Sequence, residues 1–220
     1  MCGRFYLDVP PEDLKQHFDL TIISALTPRY NIAPSQEIAA ILSAQQARKL
    51  TRLHWGLIPF WARDKKIGYR TINARAETVD SKPAFRAAFK YRRCLIPASG
   101  FFEWKPENGK RPYCIRSVKQ PLIAFAGLHE HWDDNKGNSI DSCTILVTQA
   151  NARIQPIHER MPVILKPADY SAWLDPGNQD TAKLKSLLVP WPEADTLVYP
   201  ISRRINNPRN DDPQCVEPVN

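Results

Sequence analysis

Glycine is scarce in this 220-residue sequence, and no long apolar run interrupts it. Only 8 glycines occur, and none belongs to the phosphate-binding loop of P-loop hydrolases. The Gly-x-Ser-x-Gly turn of α/β-hydrolases and the His-Glu-x-x-His helix of zinc peptidases are also missing. The longest apolar run, at 121–128, is far shorter than the roughly 18 residues that span a bilayer. These absences exclude three hydrolase classes and predict no membrane partner.

Cysteine is present but not in a pattern that builds structure. The five cysteines, at positions 2, 94, 114, 143 and 215, are widely spaced, and no Cys-x-x-Cys pair occurs. An odd number at such spacings argues against a disulfide framework or a structural zinc site and favours reduced thiols. His129 and His131 would share a strand face, but no third ligand follows at a recognisable spacing. We therefore expect no metal or other cofactor and, because no basic-then-apolar leader opens the chain, a cytoplasmic location.

The charge balance points towards polyanions. Thirty Lys and Arg residues against 23 Asp and Glu residues leave a net charge of +7 and a pI near 9.2. Such a surplus favours nucleic acid because each neutralised phosphate releases counterions. A merely basic surface explains the charge equally well, so charge alone leaves both interpretations open.

Twenty prolines leave little room for long helices. Periodicity and capping residues predict four short helices, at 10–18, 83–89, 167–174 and 181–188. Apolar and alternating runs predict seven strands, at 38–42, 50–55, 94–97, 101–105, 123–128, 143–148 and 162–165. Strands outnumber helices without alternating regularly with them, which predicts one α+β domain rather than a doubly wound parallel sheet.

Cys2 is the first candidate for chemistry. Removal of Met1 would leave an α-amine and a thiol on adjacent carbons, with reference pKa values near 8 and 8.5. Such a 1,2-aminothiol attacks acyl groups, or condenses with an aldehyde to an imine that the thiolate closes into a thiazolidine. An ordinary small residue at a frayed terminus is the alternative interpretation.

Three further polar residues have a suitable chemistry. The Asn73 amide offers two donors and an acceptor for a carbonyl or a sugar hydroxyl, although Asn often serves only a turn. Glu103 interrupts an aromatic strand, either at a solvated edge or in an apolar setting that would raise its pKa. On that strand, Phe101 and Glu103 share one face, and the residues at positions 102 and 104 share the other. His158 can shuttle protons near neutral pH, or is a solvated loop residue.

Candidate DNA-binding residues surround these positions. Arg4, Arg75 and Arg160 each lie within two residues of a catalytic candidate. Their guanidinium groups suit bidentate phosphate binding, with structural ion pairs as the alternative. The segment 55–61 interleaves aromatics and proline before a basic run, which is typical of a base-stacking platform. Its aromatic residues are Trp55, Phe60 and Trp61, of which the first two are also plausible core residues.

Together these segments form an ordered set of motifs. MCGRF at 1–5, RYNIAP at 29–34, WGLIPFW at 55–61, INARAE at 72–77, RCLIPASGFFEW at 93–104 and HERMP at 158–162 resemble the SRAP family of SOS response-associated peptidases, or abasic-site processing proteins. The resemblance runs to about residue 208, so we expect one domain at 1–208 and a polar tail at 209–220. It implies a curved, mainly antiparallel, open-barrel-like β-core with short flanking helices.

The resemblance also implies a mechanism. Family members join the N-terminal cysteine to the ring-opened aldehyde of an abasic site in single-stranded DNA. Cys2 would form the thiazolidine after Met1 removal, by autoproteolysis or an aminopeptidase. Glu103 would serve as acid and base, His158 would handle the sugar oxygen, and Asn73 would orient both partners. The expected form is a monomer bound to lesion-bearing single-stranded DNA. The arginines would hold the flanking phosphates.

Three other classes remain as alternatives. An N-terminal-nucleophile amidohydrolase also begins Met-Cys-Gly, but it normally has an apolar residue where Arg4 stands. A non-covalent nucleic-acid-binding module would bind intact single strands without forming an adduct. A peptidase acting on other proteins would need a substrate groove, for which the sequence carries no signature.

Overall fold

The computed structural model describes residues 2–21, 26–44, 47–107, 109–134 and 136–219. Within these segments the chain forms thirteen strands and four short α-helices. The strands are β1 (Phe5–Leu7), β2 (Arg29–Ile32), β3 (Glu37–Ala44), β4 (Ala47–Trp55), β5 (Asn73–Arg75), β6 (Arg93–Ala98), β7 (Gly100–Lys105), β8 (Arg111–Ser117), β9 (Ile123–Asp133), β10 (Ser139–Gln149), β11 (Arg160–Pro162), β12 (Ile164–Leu165) and β13 (Thr196–Pro200). The helices are α1 (Pro11–Phe18), α2 (Arg86–Tyr91), α3 (Tyr170–Leu174) and α4 (Thr181–Lys185). None of the helices in the described segments is long and apolar enough to cross a bilayer.

The predicted elements coincide with observed ones. All four predicted helices are present, and α1 shows why. Pro11 opens it, two acidic residues occupy its first turn, and Leu14 and Phe18 bury one face. All seven predicted strands are also present, although the run at 162–165 divides into β11 and β12. Five strands were missed, namely β1, β2, β5, β8 and β13, most of them too short to show alternation.

The smaller sheet has five antiparallel strands in the order β13-β8-β7-β1-β2. The N-terminal strand therefore lies inside this sheet, between β7 and β2. Phe5 pairs with Phe101 and Tyr6 with Gly100. The N–H of Phe102 donates to the carbonyl of Arg4 at 3.0 Å. This register brings the chain before Phe5 alongside the second half of β7.

The larger sheet closes into a mixed barrel. Strands β10, β4, β3, β6 and β9 pair in that order, and β9 pairs back to β10. In this circuit the β10–β4 pair is parallel, and the other four pairs of neighbouring strands are antiparallel. The short strands β5 and β11 flank the second half of β10. The expected α+β fold with a curved, mainly antiparallel core is confirmed.

Aromatic rings join the two sheets. Phe5 contacts Trp55 and Phe125 edge-on, with ring centroids 5.3 and 5.7 Å apart, and Phe101 also contacts Phe125. Phe102, on the opposite face of β7, belongs to a separate cluster. The predicted division of faces along β7 is therefore confirmed, and Glu103 lies on the face that meets the barrel.

The chain after β13 folds back onto the smaller sheet. Ile201 forms a bridge with Pro218, and Cys215 is fully buried. The Asp211 carboxylate accepts the N–H groups of Tyr30 and Asn31 in β2. The boundary at residue 208 stays a prediction. All five cysteines lie in the described residues, are buried, and form no disulfide with one another.

Candidate active site

Cys2 lies in the interior beside Glu103. Its side chain is fully buried, and its Sγ lies 3.9 Å from the Arg4 carbonyl oxygen. Burial raises the pKa of the Cys2 thiol, and the nearby Glu103 carboxylate raises it further. The thiol is therefore protonated at neutral pH, and any reaction that needs the thiolate also needs a base to take this proton.

Glu103 occupies the apolar setting, not the solvated edge. Only 3% of its surface is exposed, and burial raises its pKa to about 7. The alternation of β7 points its side chain towards the barrel with that of Phe101. Because its acid and carboxylate forms coexist at neutral pH, Glu103 is able to donate a proton and then accept one.

Asn73 faces the same interior from the barrel side. It pairs with Ile145 of β10, whereas Trp55, which contacts Phe5, pairs with Cys143 two residues earlier. Strand alternation therefore puts Asn73 and Trp55 on one face of the larger sheet. Asn73 is 9% exposed, and its Nδ2 donates to the Ile145 carbonyl at 3.4 Å. Its buried Oδ1 accepts no hydrogen bond within the described residues, which leaves an acceptor for a ligand group.

His158 stands immediately before β11. Its Nδ1 lies 3.0 Å from the Arg160 backbone nitrogen and 3.2 Å from the Arg160 carbonyl oxygen. Accepting the N–H, the shorter contact, corresponds to the neutral tautomer with hydrogen on Nε2. Burial lowers its pKa, so the ring is neutral at neutral pH. In that form the imidazole has a hydrogen-bond donor suited to a sugar or hydroxyl oxygen.

Glu103 and His158 open onto one pocket of about 480 Å³, whereas Cys2 and Asn73 are buried and are not among its lining residues. The pocket is lined by Arg4, Glu103, Trp104, Gly109, Lys110, His158 and Asn206. Glu103 and His158, from distant segments of the chain, both line this pocket, and their catalytic roles stay predictions. Sequence reasoning missed three of the lining residues, Trp104, Lys110 and Asn206. The first lies within a recognised motif, but the lysine and the asparagine carry no local signal that separates them from solvated loop residues.

The three candidate arginines differ in their surroundings. Arg4 is held by Asn31 and by the Ile205 carbonyl. Arg160 forms an ion pair with Glu77, whereas Arg75 is exposed. Arg75 pairs with Val147 and Arg160 with Gln149, so alternation places both on the face that carries Asn73. The arginine roles stay predictions: Arg4 lines the pocket, whereas Arg75 and Arg160 are not among its lining residues.

The structure corrects the predicted role of Trp55. It is fully buried, so the prediction that its ring stacks against DNA bases is wrong. Its Nε1–H donates to the Ile72 carbonyl at 2.9 Å, and its ring packs on Phe5. Trp55 therefore joins the strand that follows Cys2 to the strand that begins at Asn73.

Phe60 and Trp61 do lie on the surface. They are 59% and 49% exposed, in the segment that connects β4 to β5. The Thr71 hydroxyl closes this loop by donating to the Leu57 carbonyl at 2.6 Å. Gly56 makes the closure possible, because at its φ of +141° a Cβ would lie 2.6 Å from the Gly68 carbonyl oxygen. The two rings border a second, larger pocket of about 1010 Å³ that also contains Arg63 and Lys65.

The fold and the site thus define a protein with a buried cysteine at position 2, an adjacent carboxyl group whose pKa is raised to about 7, and a pocket lined in part by Arg4 and Lys110. The family model of SOS response associated peptidases (SRAP) matches residues 1–208. The chain therefore belongs to this family, and the resemblance described from its motifs is confirmed.

Similar proteins include "Abasic site processing protein YoqW" of Bacillus subtilis (strain 168), 43% identical over 222 residues and 99% of each chain. "Abasic site processing protein HMCES" of Xenopus tropicalis is 31% identical over 266 residues, covering all of this chain and 78% of its own. A crystal structure of a protein from Bacteroides thetaiotaomicron superposes with a TM-score of 0.90 at 28% identity. That match covers 99% of this chain and 100% of the other.

Proposed function

We propose that this protein processes abasic sites in single-stranded DNA by covalent capture through Cys2 after Met1 is removed. The observation that carries the proposal is the buried Glu103 carboxyl group, with a pKa of about 7, next to the Cys2 thiol. The names of the similar proteins agree with the substrate. An abasic site has no base whose edge the protein must recognise. The site therefore needs only contacts to the phosphates and a nucleophile for the aldehyde.

The capture reaction balances with water as its only by-product. The Cys2 amine adds to the C1′ aldehyde of the ring-opened sugar, and the resulting carbinolamine loses water to give an imine. The thiol then adds across this C=N bond, its sulfur to the carbon and its proton to the nitrogen. The product is a five-membered thiazolidine that joins the chain to the DNA.

Glu103 serves both halves of this sequence. Its acid form donates a proton to the ring oxygen as the sugar hemiacetal opens, and the carboxylate takes one back from the anomeric hydroxyl. The restored acid then donates a proton to the carbinolamine hydroxyl, which leaves as water. The resulting carboxylate then takes the proton of the Cys2 thiol, whose raised pKa makes such a base necessary. Neutral His158 donates to the sugar oxygen, and the unsatisfied Oδ1 of Asn73 accepts from the reacting amine or a sugar hydroxyl.

The basic residues account for the DNA strand. Arg4 lines the pocket, and Arg75 and Arg160 lie on the sheet face that carries Asn73, an arrangement that suits phosphates on both sides of the lesion. Every group in this scheme comes from one chain, which supports a monomer, and we propose a cytoplasmic protein. Release of Met1 by the protein itself is part of the proposal for the peptidase activity, with an aminopeptidase as the other route.

The test uses a single-stranded oligonucleotide with one abasic site. We expect a heat-stable shifted band on a denaturing gel, with a mass equal to protein without Met1 plus DNA minus one water. The matched control carries a tetrahydrofuran residue, which has the same backbone gap but no aldehyde, and it should give no band. If protein lacking Met1 gives no adduct with the aldehyde, the proposal fails, and non-covalent binding or amide hydrolysis is then the function to test.

A second prediction concerns the exposed aromatic loop. Replacing Trp61 by alanine is expected to weaken binding of intact single-stranded DNA roughly tenfold, since base stacking contributes about 1–3 kcal/mol per base. The same change at Tyr91, a 44% exposed ring on α2, is the matched control and should leave affinity unchanged. Fluorescence anisotropy measures both. If the Trp61→Ala variant bound single-stranded DNA as tightly as the unmodified protein, a base-stacking role for Trp61 would be contradicted.

A further inference from the structure

Asn31 of β2 connects several parts of the molecule through one buried amide. Its side chain is fully buried, and its Oδ1 accepts from Arg4 Nη1 at 2.6 Å. Its Nδ2 donates to the carbonyls of Ile205, Asn207 and Asn210, at 3.2, 3.1 and 2.7 Å. One amide thus binds the N-terminal segment and three carbonyls of the chain that follows β13.

One partner of this amide, Arg4, lines the candidate active site, and the C-terminal partners Ile205 and Asn207 flank Asn206, which lines it as well. Arg4 Nη1 also donates to the Ile205 carbonyl at 2.9 Å, and its guanidinium carbon lies 5.8 Å from the centre of the Trp104 ring. The Trp104 Nε1–H donates to Asn206 Oδ1 at 2.8 Å. Arg4, Trp104 and Asn206 all line the pocket, whereas Asn31 does not. Asn31 is thus able to affect the pocket only through them.

A second anchor keeps the same segment in register. The Asp211 carboxylate accepts the N–H of Asn31 at 2.9 Å, and it also binds the Tyr30 N–H and the Arg29 Nε–H. The chain from Ile205 to Asp211 is thereby attached to β2 at both the side chain and the backbone of Asn31. The Asn31 amide is fully buried, so each hydrogen bond that it loses is costly, because no water replaces it.

We propose that Asn31 is a positioning residue that holds the Arg4 guanidinium, and with it the C-terminal wall of the pocket, in the geometry that binds the phosphate next to the lesion. The inference rests on the proposed function. An asparagine is required because one end of its side chain accepts from a guanidinium while the other donates to carbonyls. A carboxylate offers no donor, and an apolar residue offers neither group.

The test is a double-mutant cycle between Asn31→Ser and Arg4→Ala, read as the rate of crosslinking to the abasic oligonucleotide at subsaturating protein. We expect Asn31→Ser to slow the reaction about tenfold, as for loss of a hydrogen bond to a charged group. The slope of log rate against log salt should become shallower by about 0.7, the value for one single-strand phosphate contact. The double variant should react no more slowly than Arg4→Ala alone, because both changes remove the same contact.

The inference would be overturned if the two substitutions slowed crosslinking multiplicatively in the double variant. It would also be overturned if the slope of log rate against log salt were unchanged in Asn31→Ser. Arg93→Lys is the control for general destabilisation, because Arg93 is a buried hub whose carbonyl partners all lie outside the pocket. It should lower the unfolding temperature without changing the salt slope. If Asn31→Ser does not fold, Asp211→Ala removes the second anchor from a more exposed position and should show the same shallower slope. Failure of the unmodified protein to crosslink would instead overturn the proposed function.

Discussion

Replacing Cys2 by alanine is expected to abolish the heat-stable DNA adduct while leaving a reducible one. Alanine is also small enough for Met1 to be removed, so the variant keeps a free α-amine beside Glu103. That amine still condenses with the aldehyde, but without a thiol the imine hydrolyses when the sample is heated. Borohydride reduces an imine to a secondary amine, and a band that appears only with borohydride would separate the amine's contribution from the thiol's.

Cys114→Ala is the matched control for this experiment. Cys114 is fully buried and pairs with Phe102 in the smaller sheet, in the cluster on the face turned away from Glu103. Its removal deletes one thiol from the fold without touching the pocket, and the heat-stable band should persist. A heat-stable band from Cys2→Ala without borohydride would mean that another group forms the adduct.

Replacing Glu103 by glutamine is expected to slow crosslinking by about 10² to 10⁴-fold, the usual contribution of a positioned acid–base group. The amide has nearly the same shape, but it neither donates a proton to the leaving water nor accepts one from the thiol. In the unmodified protein, the rate should also fall as the pH rises through about 7, where Glu103 loses its proton. This alkaline decline should be missing from Glu103→Gln.

The same substitution should make the fold more stable at alkaline pH. The pKa of Glu103 is about 7 in the folded protein and about 4.3 in an unfolded chain. Between these values the folded state binds more protons, so stability falls as the pH rises from 4.3 to 7. The loss amounts to roughly 4 kcal/mol well above pH 7. Glutamine does not ionise, so urea unfolding should show the variant to be more stable at pH 8 but not at pH 4.

Glu130→Gln separates this effect from carboxylate burial in general. Glu130 is 5% exposed in β9 and accepts from Arg92 Nη2 at 2.6 Å, outside the residues that line the pocket. Its amide variant should crosslink at the unmodified rate and should lose stability, because it breaks a compensated ion pair. A gain in stability at pH 8 from Glu130→Gln, or none from Glu103→Gln, would contradict the role of Glu103 burial.

Local sequence patterns were sufficient for the parts of the site that depend on one strand or one motif. The alternation of β7 correctly placed Phe101 with Glu103, because the period of a strand is a local property. The same reasoning failed at Trp55, whose motif is equally typical of a surface platform and of a core strand. Only its tertiary partners, the Ile72 carbonyl and Phe5, decide between them.

The network around Asn31 was beyond sequence reasoning for a different reason. Its hydrogen-bond partners at Ile205, Asn207 and Asn210 are more than 170 positions away along the chain. No period or cap relates residues at such separations, so the contacts depend on how β1, β2 and the C-terminal segment meet in the smaller sheet. Lys110 and Asn206 were missed for the same reason.

The central place of β1 in its sheet has a consequence for the order of events during protein synthesis. Its neighbour β7 begins at residue 100, and the Arg4 partner Ile205 is translated another hundred residues later. While the ribosome makes the intervening residues, the first segment has no sheet to join and is open to an aminopeptidase. Self-cleavage at Met1 by the proposed site would need Glu103 and His158 in one pocket, so this route would belong to the folded chain. The two routes are therefore separated in time, and a ribosome-bound nascent chain that already lacks Met1 would identify the first.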